Sequence, residues 1–95
     1  MHLREVDGLD ARQAYWIPAV VAPERDWPGA PGSRRGSRYV VNPETLRASR
    51  DEFDAFDSRL SCLHWIMHHR AALNQTLPGA AIRAVRLDRW LLGLD

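Results

Sequence analysis

His64 and His68 stand four residues apart in the stretch Leu63-His64-Trp65-Ile66-Met67-His68-His69. On a helix that spacing sets two imidazoles one turn apart, a geometry that can chelate zinc or another borderline metal. Asp57, seven residues before His64, offers a carboxylate. The residue after His64 is Trp65 rather than Glu, so the metalloprotease pattern is absent. His2 and His69 are the only other histidines, and no second ligand cluster appears. The pattern therefore predicts neither a metal nor a cofactor. Asp57, Ser61, His64 and His68 are read instead as a polar flank suited to a protein partner. Trp65 lies beyond that row. Its two readings are an exposed aromatic anchor, of a type enriched at interface hot spots, and a ring covered by the N-terminal arm or the C-terminal segment.

Cys62 is the single cysteine. Residues two apart on a helix do not face each other, and nothing orients His69 toward the thiol, so no nucleophile–base pair is formed. An enzyme is not expected. No intramolecular disulfide is available, which fits a reducing, cytoplasmic setting. The N-terminus lacks the apolar core of a signal peptide. No run approaches the roughly 18 apolar residues needed to span a membrane.

A second group of chemistry-bearing residues lies between positions 22 and 37. Pro23, Pro28 and Pro31 alternate there with Gly29, Gly32 and Gly36, the composition of a loop. Trp27, Arg34 and Arg35, with Arg38 just after, place one aromatic and three guanidinium forks on that tether. Such a set grips phosphates, stacks on bases or meets an acidic protein surface. All 13 basic residues of the chain are Arg. Each is therefore a planar fork matched to carboxylate or phosphate. The net charge is only +1, without the basic excess typical of nucleic-acid-binding domains.

The elements that must position these groups are set by periodicity. Ninety-five residues allow one domain with a modest core. Tyr15 to Val21 is aromatic and β-branched and predicts a strand, with Pro18 marking an edge or a bulge. Arg38 to Val41 predicts a second strand, so the 22–37 loop joins a long-looped antiparallel hairpin. Asn42-Pro43-Glu44 reads as a helix start leading to a short helix through Ala48. Ser49-Arg50-Asp51-Glu52 reads as a capping box. From there a central helix over about 50–76 is expected. Phe53, Phe56, Leu60, Leu63, Met67 and Ala71 would form its apolar face. The competing reading makes Glu52 to Phe56 a third strand, with Asp57 or Ser58 capping a shorter helix. Leu77-Pro78-Gly79 stops the helix. For residues 80–95 a strand over Ile82–Leu87 and a helical turn at Arg89–Leu92 are preferred to one helix. The expected architecture is α+β: two or three antiparallel strands packed on one long central helix.

Phe56-Asp57-Ser58 followed by Leu63-x-Trp65 resembles the aromatic-Asp-Ser helix entry of small phage-encoded inhibitors of the anti-CRISPR type. The resemblance covers about ten residues and carries over no site residue. It implies a stoichiometric inhibitor of a bacterial defence complex. The expectation is thus a non-enzymatic protein-binding module using Trp27, Arg34, Arg35, Arg38, Asp57, His64, Trp65 and His68. The alternative is a nucleic-acid-binding accessory protein that uses the Arg loop and the Arg83, Arg86, Arg89 series.

Overall fold

The computed structural model describes residues 6, 8–10, 12–21 and 39–93. Among them the chain forms β1 (Trp16–Val21), β2 (Tyr39–Val41), β3 (Ala48–Ser49), α1 (Arg59–His68), α2 (Arg70–Thr76), β4 (Ala81–Arg86) and α3 (Leu87–Leu91). One antiparallel sheet of four strands runs in the order β3-β2-β1-β4. The α+β class and the β1–β2 pairing are as the sequence predicts. The sheet has one strand more than expected, and the single long helix is absent.

Both faces of the sheet are covered. On one face Tyr39, Val41 and Ala48 pack under Cys62, Ile66, Leu73 and Leu77. On the other, Ile17, Ala19 and Val40 pack under Phe53, Leu87 and Trp90. β1 is buried from both sides, which accounts for its uninterrupted apolar run. Pro18 lies inside this central strand, not at an edge. Trp16 exchanges both backbone bonds with Phe56, at 2.8 Å each, on the β2 side of the strand. By the two-residue alternation Pro18 turns its nitrogen the same way. The β1–β2 register there covers only Ala19↔Val40 and Val20↔Tyr39, so the missing N–H falls in a gap of the ladder.

Residues 50–58 are not helical. Phe53 is fully buried beside Trp90, with ring centroids 6.5 Å apart, whereas Phe56 packs on the opposite face of the sheet. No single helix stripe reaches both faces, so burial on two sides overrides the helical spacing. The helix starts at Ser58, whose Oγ accepts from the Ser61 amide at 3.1 Å. The shorter helix capped at Ser58 is therefore the correct start, but the strand over Glu52–Phe56 that went with it does not form: Phe56 makes an isolated bridge to Trp16. Ser49 Oγ does accept from the amides of Asp51 (3.3 Å) and Glu52 (3.0 Å), but these bonds close a turn after β3.

The predicted helix over 43–48 is also a turn. Asn42 Oδ1 accepts from the amides of Glu44 (2.9 Å) and Thr45 (3.2 Å), and its carbonyl accepts from Leu46. Leu46 then adopts φ 57°, a left-handed conformation that ends any helix. The chain turns back into β3, making β2–β3 a hairpin. Thr76 Oγ1 donates to the Leu46 carbonyl at 2.6 Å and ties this turn to the end of α2.

α1 and α2 are separated at His69, which has φ −100° and ψ 10°. The Trp65 carbonyl accepts from the His69 amide at 3.1 Å and meets its Nδ1 at 2.8 Å. That assigns Nδ1 as a donor, since a carbonyl only accepts. A side chain inserted into the i→i−4 ladder is a known cause of helix breaks. After α2, Ala80 donates to the Leu77 carbonyl at 3.1 Å across Pro78-Gly79, with Gly79 at φ 78°. This is a type II turn with Pro and Gly where that turn requires them. It delivers β4 and α3, the strand-then-helix order preferred for the C-terminal region.

Candidate functional site

α1 carries apolar residues on two opposite sides. Cys62 and Ile66 point inward, at 0% and 5% exposure, and α2 continues that line with Leu73. Leu60 and Met67 point outward, at 63% and 65% exposure. His64 lies between them on the same line, and His68 and Ala71 are exposed beside it. The apolar stripe through Leu60, Met67 and Ala71, read from the sequence as the core face, is therefore the solvent face. Leu63, read with that stripe, is half-buried on its flank. Both sides of α1 repeat at helical spacing, so periodicity alone does not fix which side is buried.

The expected site residues separate into three groups. Trp27, Arg34, Arg35 and Arg38 lie outside the described residues. Asp57, His64 and His68 are exposed, with Asp57 just before the helix cap. The Asp57 carbonyl accepts from Gln13 Nε2 at 3.0 Å, which ties the segment before β1 to the entry of α1. Trp65 is half-buried at the margin of the core. Its ring is tilted against Phe56 at 6.2 Å and stacked on His69 at 4.4 Å and 30°. The neighbours of Trp65 are therefore Phe56 and His69. The His69 ring in turn meets His68 edge-on at 5.2 Å. A chain of rings thus runs from the core margin to the surface at His68.

Among the described residues no group of three or more His, Cys, Asp or Glu is placed to hold a metal. Burial pushes the Cys62 thiol up to about 12, so the thiol stays protonated and unreactive in the fold. The Arg83, Arg86, Arg89 series does not form one stripe. Arg83 and Arg86 differ in parity on β4 and so project from opposite faces, while Arg89 belongs to α3. Arg86 is engaged locally. Its guanidinium lies 6.0 Å from the Trp16 ring centroid and grips Asp88 through two bonds of 3.1 and 2.9 Å. Desolvation raises the Asp88 carboxyl. The Arg89 amide and then Arg86 outweigh it, leaving that group below its ordinary value.

Sequence reasoning missed two features. One is a groove of about 210 Å³ between the α1–α2 helices and the start of β4, lined by Ile66, Arg70, Leu73, Asn74, Ala80, Ala81 and Ile82. The other is a wider cleft of about 410 Å³ between Val6, Leu9, Gln13 and Tyr15 on one side and the β4–α3 junction on the other. Both depend on β4 forming, and only the pairing Trp16↔Arg86 through Val21↔Ala81 brings their walls together. Comparison with protein-family models, curated proteins and solved structures found no match. No helix among the described residues is long and apolar enough to cross a membrane.

Proposed function

We propose that the chain is a small non-enzymatic protein-binding module whose partner sits on the outward face of α1. The observation that supports this is the exposure of Leu60 and Met67, at 63% and 65%, on one line with His64 and opposite the buried Cys62 and Ile66. Clustered exposed apolar side chains on a soluble domain mark interaction surfaces. Methionine is over-used at such surfaces because its unbranched chain adapts to the partner. His64, His68 and Asp57 provide a polar margin. The short resemblance at Phe56-Asp57-Ser58 and Leu63-x-Trp65 supports a partner within a bacterial defence complex, bound stoichiometrically.

The test is a comparison of the parent chain with a Leu60→Glu, Met67→Glu double variant. Both are used as bait against bacterial extracts and read by quantitative mass spectrometry. The double variant keeps the circular dichroism and melting temperature of the parent, and it loses the captured protein. An identical catch from both baits overturns the reading. Capture that collapses steeply with added salt and nuclease supports a nucleic-acid partner instead.

A further inference from the structure

We infer that β4 is a second, separate docking site, which takes an extended acidic peptide segment as a fifth strand of the sheet. β4 ends the strand order, so among the described residues nothing pairs with its outer edge. Its register with β1 fixes which backbone groups are open. The Trp16–Phe56 exchange turns even-numbered β1 residues toward β2, so Ile17, Ala19 and Val21 face β4. Their partners Val85, Arg83 and Ala81 are the β4 residues whose N–H and C=O are used. Ile82 and Ala84 therefore present their N–H and C=O outward and Arg86 its N–H, at strand spacing, while the Arg86 carbonyl, at the N-cap of α3, accepts the first bond of that helix. Strand addition to such an edge draws affinity from main-chain bonds and specificity from alternate side-chain pockets.

The pocket is present beside the edge. The side chains of Ile82 and Ala84 lie on the helix-covered face, and the 210 Å³ groove opens there between Ile82, Ile66 and Leu73. An added strand would place every second side chain over this groove. Charge selects the occupant. Arg70 stands at the groove wall and Arg83 is exposed on the other face of β4, and neither makes an ion pair among the described residues. A strand carrying an apolar residue for the groove and carboxylates for these forks is complementary. A second copy of this chain is not, because pairing two β4 edges would bring together the arginines of both copies. Charged edge residues are a common device against such self-pairing. This site is independent of the outward face of α1.

The experiment pans a random display library of about eight-residue peptides on the full chain. An enriched peptide is then titrated into the labelled protein, read by amide exchange. Enriched sequences carry an excess of Asp and Glu two residues from an apolar residue, on the face of Arg70, and at odd offsets from it, on the face of Arg83. The bound peptide slows exchange at Ile82 and Ala84, while Arg83 and Val85 are slow already because they pair with β1. Arg70→Glu weakens binding by about tenfold or more, the factor that corresponds to 1.4 kcal/mol. Ala84→Pro removes one outward N–H, which an edge strand tolerates, and abolishes binding. N-methylation at alternate peptide positions tests the same bonds without altering the protein, and it too abolishes binding. The inference is overturned by a library with no enrichment, or by enrichment of basic or uncharged peptides. Protection away from β4, indifference to N-methylation, or β4-dependent dimerisation in sedimentation also overturns it.

Discussion

Ile66→Ala and Met67→Ala alter adjacent residues of α1 and have very different costs. Ile66 is 5% exposed and packs against the sheet with Cys62 and Leu73. Truncating such a side chain loses its transfer free energy and leaves a cavity, together about 2–5 kcal/mol. Met67 is 65% exposed. Full burial of Met is worth about 1.5–3 kcal/mol, so only about a third of that, at most ~1 kcal/mol, is at stake. The better helix propensity of Ala offsets part of it, leaving a net cost under about 0.5 kcal/mol. For a domain of this size 1 kcal/mol moves the melting temperature by about 4–8 °C. Ile66→Ala therefore lowers it by at least about 8 °C and Met67→Ala by less than about 4 °C. Urea melts followed by tryptophan fluorescence give the free energies directly, and an unchanged m-value shows that the denatured state is not responsible. A cost of 2 kcal/mol or more for Met67→Ala would refute the reasoning. It would mean that the outer face of α1 is covered and that the partner surface proposed on it does not exist.

Thr76→Val keeps the shape of the side chain but removes the donor to the half-buried Leu46 carbonyl. An acceptor left without its donor costs about 1–3 kcal/mol. Melting should shift accordingly, and the amide of Leu46 should exchange faster. An unchanged turn would show that the Asn42 bonds suffice. Cys62 predicts an alkaline signature. Its folded thiol holds its proton to about 12 against an ordinary value of 9.0. The unfolded chain therefore loses that proton first as pH rises. The contribution of Cys62 is complete below pH 9 and is lost between pH 9 and about 12. Cys62→Ala should flatten the decline in stability over that window, and a slope equal to the parent's would count against the assignment. In the native protein at pH 8 the thiol should resist Ellman's reagent until denaturant is added.

Two strands were legible because their signals are local: Tyr15–Val21 and Arg38–Val41 carry β-branched and aromatic residues beside turn residues, and each lies within a residue of an observed strand. Ile82–Leu87 is favoured because a third strand completes a sheet face, and β3, Ala48–Ser49, gives no strand signal. Leu77-Pro78-Gly79 specified its own turn. The phase of the central helix was not legible. Leu60 and Met67 repeat at helical spacing as regularly as Cys62 and Ile66, so periodicity cannot choose which pair is inside. Phe53 and Phe56 share a stripe on a helical wheel, yet each fills a different face of the sheet. Asn42-Pro43-Glu44 carries the bonds of a helix start, and what ends it is the left-handed Leu46, a residue type that gives no warning of that conformation. The groove beside β4 requires residues from α1, α2 and β4, which only the packing of the helices on the paired sheet brings together.

The β1–β4 pairing has a consequence for how the chain reaches this fold. Trp16 pairs with Arg86, so the contact closes a loop of about seventy residues. The entropy of closing a loop that long is lost before the strand bonds compensate it, and folds dominated by such separations fold slowly, in milliseconds to seconds. Until β4 arrives, β1 exposes an apolar strand, Trp16–Val21, with one whole edge unpaired. During that interval the chain is most exposed to aggregation. The β2–β3 hairpin and α1 rest on short-range contacts, so the arrival of β4 beside β1 is the step expected to limit the rate. Destabilising substitutions in β4 should therefore slow folding and lower the yield of soluble protein, whereas substitutions of equal cost in elements formed after that step should mainly speed unfolding.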